Sequence, residues 1–392
     1  MKSFEHGVEE LLKLLELSKQ HWLLGAGASV ESGIPLMYPL TARVKACLVG
    51  QEAVIFQSIM DDLSLEAHVE HALSHLGDLI ALAERSRLKT VTIAAANIPL
   101  ADLEATYKAV IQAIATTVRY GYRAATGGAA EVIGTHLVPL VDVDAHQRFV
   151  RQLFKAHSNL EARSKVGFIT TNYDTLLEDA LAMEQRIALD GFSGGAIAFW
   201  NGINIDPGQA NSARSHQVLK LHGSVDWFRD AEVDLLRVRY GVKYLADLSS
   251  TLIYPQATKY LETQKDPFAR IFDCFRKTLR SSDSNLLAIV GYSFGDDHIN
   301  SEIESALADR RNKTTLIAFS KEVLTAPGAV DTTPCGTLMR WANDSRFGSR
   351  IYVATDKALY NGTAKAGPNP AKSLDWWTFA GLTNFLEQGA MT

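Results

Sequence analysis

The chain has 392 residues, so it can bury a large core and form either one domain with an insert or two domains. Hydrophobic residues make up 47% and charged residues 21% of the sequence, which are ordinary values for a globular protein. The net charge of -5 gives no electrostatic reason to expect DNA or an acidic membrane as a partner, and we predict no direct nucleic-acid binding.

The N-terminal segment mixes charged residues among its apolar ones, and no apolar run in the sequence is long enough to span a membrane. We therefore expect a cytoplasmic location and no membrane contact. The three cysteines, Cys47, Cys274 and Cys335, lie far apart and form no CxxC pair. This spacing predicts neither a disulfide framework nor a structural zinc site.

The first predicted element is an amphipathic helix with apolar residues from Val8 to Leu17, and it leads into "HWLLGAGAS". Over residues 41–159 apolar residues then recur at every third or fourth position, which predicts a large helical insert. The recurring positions include Leu65, Val69, Leu73, Leu76, Ile80, Leu103, Tyr107, Val110, Ile111 and Ile114.

Apolar runs of strand length return after the insert, and helical stretches such as Ile299 to Arg310 separate them. This alternation is typical of parallel strands joined by crossover helices, so we predict an α/β fold with a Rossmann-like, doubly wound parallel sheet. Residues 1–40 and 160–320 would form this core, and residues 321–392 a C-terminal extension. The runs are "VGFITTNYD", "HQVLKLHGSVDW", "TLIYP", "NLLAIVGYSFGDD", "TTLIAFS" and, in the extension, "RIYVAT".

The glycine-rich stretch "GAGASVESG" follows the first predicted strand. Gly25 and Gly27 would allow a tight turn and the close approach of a pyrophosphate to the backbone, with its charge facing the next helix. Val30 occupies the position of the third glycine of GxGxxG, and a GxG pair also occurs in ordinary turns between a strand and a helix. The turn alone leaves both interpretations open.

Residues 291–295, "GYSFG", match the G-x-S-x-G pattern between a strand and a helix, as in a hydrolase nucleophile elbow. Such a hydrolase needs an acid and then a histidine later in the chain, and the only histidine after Ser293 is His298. A histidine this close along the following helix is poorly placed to accept the proton of Ser293 Oγ. We therefore do not predict a serine esterase.

Three histidines, His68, His71 and His75, lie at helical spacing on one face together with Asp78, and such a face could hold a metal. The face lies opposite the leucine and valine stripe, so a solvated or interface face explains it equally well. We predict no metal site here.

Polar residues follow two of the predicted strands. "TTNYD" contributes Asn172 and Asp174, and "KLHGSVDW" contributes His222. Open α/β sheets bind their ligands at the carboxyl ends of strands. A neutral imidazole beside an amide can orient a sugar hydroxyl or a water molecule and accept its proton. Each residue alone could be a strand-end cap, but together with the GxG turn they indicate a ligand site.

The order of these motifs resembles the sirtuin family, in its sirtuin-like branch. "GAGASVESGIP" resembles the family's first NAD-binding loop, and "TTNYD" is similar to its T-Q-N-x-D motif. "LHG" matches the segment of the catalytic histidine, and "VGYSFGDD" resembles the strand-end motif that carries a serine. These stretches span residues 23–297 in the family's order, whereas the helical insert and the tail past Ser320 are not covered.

The departures from the family pattern bear on the reaction. Sirtuin deacylases carry a zinc ribbon with two cysteine pairs after the histidine, which three scattered cysteines cannot build, and the usual "FR" after G-I-P is "LMY" here. Resemblance to sirtuin-like proteins of bacterial antiviral defence implies an NAD glycohydrolase that depletes NAD, with NAD as substrate, water as acceptor and no metal. An NAD-dependent protein deacylase and a module that senses NAD or an ADP-ribose derivative remain alternatives.

The resemblance also implies roles for single residues. Asn172 would orient the nicotinamide ribose and the attacking water, while His222 would bond to the ribose hydroxyls and accept a proton. Asp174 would support the loop. The residues expected to bind the remainder of NAD or to shape its loop are Gly25, Ala26, Gly27, Ser29, Asp174, Gly291, Ser293 and Ser320.

Resemblance to stand-alone sirtuin-like defence proteins further implies a homo-oligomer that works with a HerA-type hexameric ATPase. We expect its contact surfaces in the helical insert and in an aromatic patch formed by Trp376, Trp377 and Phe379, because aromatic residues are favoured anchors at interfaces.

Overall fold

The structure is a computed structural model that describes residues 3–155, 165–206, 214–230, 234–239, 250–253, 266–326 and 328–388. Its described helices are α1 (Phe4–Leu15), α2 (Met37–Cys47), α3 (Gly50–Asp62), α4 (Val69–Arg85), α5 (Leu100–Tyr120), α6 (Asp144–Lys155), α7 (Leu176–Met183), α8 (Phe268–Leu279), α9 (Asp297–Ala308), α10 (Gly336–Ala342) and α11 (Phe379–Gln388). Within this part of the chain, no helix combines the length and apolar content that crossing a membrane requires.

The described strands are β1 (Lys19–Leu24), β2 (Thr90–Ile93), β3 (Ala96–Pro99), β4 (Tyr122–Arg123), β5 (Val132–Ile133), β6 (Lys165–Thr170), β7 (Ile187–Leu189), β8 (Phe192–Gly194), β9 (Ile197–Trp200), β10 (Ser215–Lys220), β11 (Gly223–Asp230), β12 (Asp234–Val238), β13 (Ser250–Ile253), β14 (Asn285–Val290), β15 (Thr314–Phe319), β16 (Val323–Leu324), β17 (Thr332–Thr333), β18 (Ile351–Ala354), β19 (Leu359–Asn361) and β20 (Ala364–Ala366).

The main sheet has nine strands in the order β20-β19-β18-β15-β14-β1-β6-β10-β7. All pairs from β18 to β7 are parallel, whereas β19 and β20 extend one edge as antiparallel strands. The chain leaves β1 toward β6 on one side and later returns to β14 on the other, so the strand order reverses next to β1. In open α/β sheets a ligand crevice lies at such a switch point.

Both faces of this sheet are covered by helices, as in a doubly wound fold. Leu23 and Ile289 belong to a core cluster shared with α8, α9 and α10. Trp22 and Leu24 point to the opposite face and belong to a cluster shared with α1, α6, α7 and α11. Adjacent residues of one strand thus enter different cores, as the two-residue period of a strand requires. The predicted α/β fold class is confirmed.

The helical segment after β1 consists of α2 to α5 around a separate apolar core. It also contains the hairpin β2–β3 and the short pair β4–β5. The predicted stripe is wrong at Leu65, which lies fully exposed in a turn between α3 and α4. Helix α6 contributes Phe149 and Leu153 to the core of the main sheet. We therefore propose a division of the chain in which the helical insert ends before α6.

A second, antiparallel sheet has the strand order β13-β11-β12-β9-β8. The run "HQVLKLHGSVDW" is two strands, β10 in the main sheet and β11 in this one. The run "TLIYP", predicted as a parallel strand, contributes β13 to the antiparallel sheet, and its last two residues lie outside the described ranges. An apolar run gives the strand but not its pairing partner, which is why this part of the prediction failed.

The C-terminal extension adds β18 to the main sheet and packs α11 against its face. Here the predicted interface patch is wrong, because Trp376 is 1% and Phe379 2% exposed, both in the core. The Trp376 indole donates a hydrogen bond to the Thr355 carbonyl at 2.6 Å. Trp377 is half-buried with the Lys321 ammonium 5.2 Å from its ring centre.

Candidate functional site

The strands that carry the predicted site residues end at the same level of the sheet. Leu24 of β1 is in register with Thr170 of β6 and with Val290 of β14, and Thr170 is also in register with Lys220 of β10. Val290 is in turn level with Phe319 of β15. The loops that begin at residues 25, 171, 221, 291 and 320 therefore share one edge. This edge is the one where open parallel sheets bind ligands.

Three glycines bring the loops after β1 and β14 into backbone contact. A Cβ atom on Gly25 would lie 2.4 Å from the Gly291 carbonyl oxygen, and one on Gly27 would lie 2.7 Å from Gly291 Cα. Gly291 has φ of +65°, and its own Cβ would lie 2.4 Å from the Ala28 nitrogen. The glycines are thus required because the two turns pack directly on each other. This reason differs from the close approach of a pyrophosphate that the GxGxxG pattern suggests.

The amides of the GxG turn are mostly committed to this packing. The Gly25 N–H donates to Val290 O at 3.0 Å, the Gly27 N–H to Gly291 O at 2.9 Å and the Ala28 N–H to Gly25 O at 3.0 Å. Ala26 is exposed and begins the short 3-10 helix Ala26–Ser29. Among the predicted cofactor-binding positions of this turn, Ala26 is therefore the one that faces outward.

The side chain of Asn172 is held from one end. Its Nδ2 donates to Gly25 O at 3.0 Å and to Ser29 Oγ at 2.9 Å. Its Oδ1 is buried and has no hydrogen-bond partner among the described residues. The residue is only 8% exposed, and buried polar atoms are normally paired. Within the described residues, Asn172 thus holds an acceptor atom in a fixed position that no donor occupies.

Ser29 and Asp174 hold this asparagine in place. Ser29 is 1% exposed, and its hydroxyl donates to Asp174 Oδ2 at 2.8 Å. Asp174 Oδ1 accepts the Leu176 N–H at 3.1 Å, at the start of α7. Asp174 thus holds both Ser29 and the start of α7, and Ser29 in turn holds the amide of Asn172.

Lys220, at the end of β10, lies beneath the loop that carries Asn172. Its Nζ donates to the Asp174 carbonyl oxygen and is 3.0 Å from Glu178 Oε1. The two side chains of the ion pair are 1% and 4% exposed. Sequence analysis did not select Lys220, although a lysine inside the apolar run "QVLKL" was a usable signal, since a buried lysine needs a charged partner.

His222 lies in the tight turn between β10 and β11 and is 5% exposed. Its Nε2 is 3.0 Å from Oδ2 of Asp296, which belongs to the "GYSFGDD" loop after β14. The Tyr173 ring is 6.3 Å from the imidazole, centre to centre. The structure therefore brings His222 and the neighbour of Asn172 together, and it adds Asp296, which sequence analysis missed.

The serine of the "GYSFG" stretch does not form a nucleophile elbow with a histidine. Ser293 is exposed, and its Oγ accepts the Gly295 N–H at 3.3 Å. The ring of His298 packs on Phe272, with 4.8 Å between ring centres, and within the described ranges no histidine bonds to Ser293. This agrees with the rejection of a serine esterase and leaves Ser293 at the edge of the site.

Ser320 follows β15, two strands away from β1. It is half-buried, its N–H donates to Ala354 O at 3.1 Å and its hydroxyl donates to Lys321 O at 3.3 Å. Four strand spacings separate β15 from β10, so Ser320 and His222 lie about 19 Å apart along the edge. The predicted residues are thus spread along an elongated edge, with Asn172 and His222 at one end.

The three histidines of the helical segment lie at the start of α4. His68 is the N-cap, and its N–H donates to His71 Nδ1 at 3.2 Å, with 3.9 Å between the ring centres. Burial lowers the pKa of His68. In the part of the chain that the structure describes, no group of three or more His, Cys, Asp or Glu residues is arranged to hold a metal ion. The His68–His71 contact caps the helix.

Residues 166–331 match the family model described as the SIR2-like domain. This part of the chain resembles a SIR2-like domain. The match contains Asn172, His222 and Asp296 but begins after the GxG turn. A search of the curated proteins finds no match.

Similar solved structures include two of Sir2 enzymes. One is Sir2Tm bound to a propionylated peptide, with 15% identity, coverage of 81% of this chain and 86% of that chain, and a TM-score of 0.31. The other concerns the structural basis of the mechanism and regulation of Sir2 enzymes, with 12% identity, coverage of 80% and 86%, and a TM-score of 0.34. The SIR2-like match implies NAD-related chemistry and does not distinguish NAD hydrolysis from deacylation.

Proposed function

We propose that the protein is an NAD glycohydrolase, which cleaves NAD to nicotinamide and ADP-ribose. The observation that carries this proposal is the fixed, unpaired Oδ1 of Asn172 at the sheet edge that also carries His222. Such an acceptor can orient a ribose hydroxyl or a water molecule. The SIR2-like match over residues 166–331 supports NAD as the substrate.

The reaction breaks the bond between the ribose C1′ and the nicotinamide nitrogen. The bonding electrons leave with nicotinamide as a neutral molecule, so the leaving group needs no strong general acid. Positive charge develops on the ribose, as in other glycosyl transfers with an oxocarbenium-like transition state. The work of the protein is to fix the sugar and the water, and the rigid amide of Asn172 is suited to this positioning.

His222 has a different task in this mechanism. A water oxygen forms the new bond to C1′, and the proton that this water loses must be accepted. The imidazole of His222 can bond to the ribose hydroxyls and take up this proton, since histidine exchanges protons near neutral pH. His222 follows β10, which pairs directly with β6, the strand before the loop of Asn172. This neighbouring position supports the proposal that both residues act on the same ribose.

An NAD-dependent deacylase is the second candidate, because the SIR2-like match fits it as well. Its peptide-binding ribbon would need two cysteine pairs after the histidine, and the sequence has only Cys274 and Cys335 there. The segments on either side of β10 contribute strands to the antiparallel sheet, and Trp227 of this sheet packs on Phe192 and on Phe268 of α8. Because the chain lacks the cysteine pairs of such a ribbon, hydrolysis is the better-supported reaction.

The cellular setting is part of the proposal. We infer a cytoplasmic homo-oligomer that acts in bacterial antiviral defence, by depleting NAD under the control of a HerA-type hexameric ATPase. The support for this is the resemblance of the motifs to stand-alone sirtuin-like defence proteins. Size-exclusion chromatography with light scattering, alone and with such an ATPase, tests it: a monomer whose activity no partner changes would contradict the inference.

The experiment for the reaction uses the full-length protein with NAD, in the presence and absence of an acyl-lysine peptide and of the ATPase. Liquid chromatography measures nicotinamide, ADP-ribose and O-acyl-ADP-ribose. A glycohydrolase forms nicotinamide and ADP-ribose without peptide, and a deacylase forms O-acyl-ADP-ribose only with peptide. A sensing module binds NAD in calorimetry and forms no product. The same assay on Asn172→Ala tests the role of the site asparagine. Asn343→Ala, which changes an exposed asparagine at the end of α10, is its control.

A further inference from the structure

The carboxylate of Asp296 has two distinct sets of partners. Its Oδ2 is 3.0 Å from His222 Nε2, and the two side chains are 4% and 6% exposed. Its Oδ1 accepts the backbone N–H groups of His298 at 3.1 Å and Ile299 at 3.3 Å, as the N-cap of α9. One side chain therefore connects the predicted catalytic histidine to a helix N-terminus.

This arrangement orients the carboxylate. The two amides of the cap hold one oxygen, and the other oxygen lies toward His222. The positive end of the α9 dipole favours negative charge at this position. The backbone on the C-terminal side of the loop is held as well, because the Tyr292 hydroxyl donates to the Asp296 carbonyl at 3.3 Å.

We propose that Asp296 is the positioning residue of His222. An ionised carboxylate can only accept hydrogen bonds, so Nε2 of the imidazole must carry the proton. In the neutral ring the lone pair then lies on Nδ1, which is the nitrogen that accepts a proton during turnover. Asp296 also stabilises the imidazolium that forms in that step, as an aspartate does in other histidine-based active sites. This inference rests on the proposed hydrolysis of NAD for its catalytic part only.

The variant Asp296→Asn tests the proposal without changing the shape of the side chain. An asparagine must direct its Oδ1 to the amides of His298 and Ile299 to keep the cap, so its NH₂ group faces His222 and donates to Nε2. The imidazole is then forced into the opposite tautomer, with the proton on Nδ1. Asp297→Asn, at the exposed neighbouring position, is the matched control.

Nuclear magnetic resonance of ¹⁵N-histidine-labelled full-length protein reads the tautomer directly. We expect Nε2–H for His222 in the wild type and in Asp297→Asn, and Nδ1–H in Asp296→Asn. We also expect kcat to fall at least about 100-fold in Asp296→Asn, while KM changes less than about threefold, as for loss of a group that acts in the transition state. A thermal unfolding scan verifies that the variant is folded.

Two results would overturn the proposal: an Nδ1–H tautomer in the wild type, which needs no variant, or unchanged kcat in a folded Asp296→Asn. If the wild type fails to cleave NAD, the proposed function fails, and the tautomers of the wild type and the variants still decide whether Asp296 positions His222.

Discussion

At the scale of single residues, Asn172 is the side chain on which the proposed hydrolysis depends first. Replacing it with alanine removes the acceptor at Oδ1 and both anchoring bonds, to Gly25 O and Ser29 Oγ. Because positioning matters most in the transition state, we expect Asn172→Ala to lower kcat by about 100-fold or more and to weaken NAD binding much less. Turnover assays and calorimetry on the same sample measure the two effects. Complete loss of binding would instead identify Asn172 as a structural residue of the loop.

The buried ion pair of Lys220 and Glu178 gives a prediction about stability. Lys220→Met leaves the Glu178 carboxylate buried without its partner, which we expect to lower the free energy of unfolding by about 3–5 kcal/mol. The double variant Lys220→Met, Glu178→Leu leaves no charge at the pair. We expect it to regain most of the free energy of unfolding that the single variant loses. Urea unfolding measures all three proteins. A single variant as stable as the wild type would contradict the importance of this pair.

Sequence reasoning identified the residues with recognisable chemistry and missed those that hold them. Asn172 and His222 follow apolar runs and fit a familiar motif order, so they could be selected from the sequence. Asp296 and Lys220 are important because they bond to residues more than forty positions away along the chain. Asp296 bonds to His222, and Lys220 bonds to the Asp174 carbonyl. Such pairs become visible only when the strand order is known.

At the scale of secondary-structure elements, Tyr173 joins the helical segment to the site. Its hydroxyl donates to Glu70 Oε1 of α4 at 2.5 Å, and both residues are buried. Burial raises the pKa of Tyr173 well above its usual value, so the phenol remains a donor at neutral pH. The bond ties α4 to the loop that contains Asn172.

Tyr173→Phe removes this donor and leaves the Glu70 carboxylate without it. We expect the free energy of unfolding to fall by about 1–3 kcal/mol, and amide hydrogen exchange to increase in both α4 and the loop after β6. Hydrogen-exchange mass spectrometry measures this with Tyr38→Phe, an exposed tyrosine, as control. Faster exchange confined to one of the two elements would contradict the coupling.

Most elements of the sheet could be predicted from apolar runs, but their connections could not. The strands β6, β14, β15 and β18 and the crossover helix α9 lie where the sequence places them. The run "HQVLKLHGSVDW" contains two strands in different sheets, because a turn of only two residues, which includes His222, separates β10 from β11. The aromatic residues of "DWWTF" suggested a surface, whereas two of them fill the gap between α11 and the sheet.

At the scale of the whole molecule, two buried histidines predict sensitivity to acid. Burial lowers the pKa of His21 and of His216 to about 4, and each ring is bonded in the fold, to Asn285 and to Val166 O respectively. Between pH 6.5 and 4 the unfolded chain binds protons that the folded chain does not. The contribution of each histidine to stability is therefore fully present above its pKa in the unfolded chain. It is lost as the pH falls toward its pKa in the folded chain.

Within this window, we expect the protonation of each histidine to lower the free energy of unfolding by about 1.4 kcal/mol for every unit by which the pH falls. Denaturant unfolding at a series of pH values measures the slope. Replacing His216 with glutamine should make the slope shallower. A free energy of unfolding that does not change from pH 7 to pH 4 would contradict neutral, buried histidines.

The proposed hydrolysis depends on the whole fold, because the parallel sheet brings the loops of the candidate site together at one edge. Its most direct test is the stoichiometry of products from NAD, with water as the only acceptor, for the wild type and for His222→Ala. We expect equal amounts of nicotinamide and ADP-ribose from the wild type and none above background from the folded variant. Undiminished nicotinamide release by His222→Ala, or release by the wild type only when an acyl-lysine peptide is supplied, would contradict it.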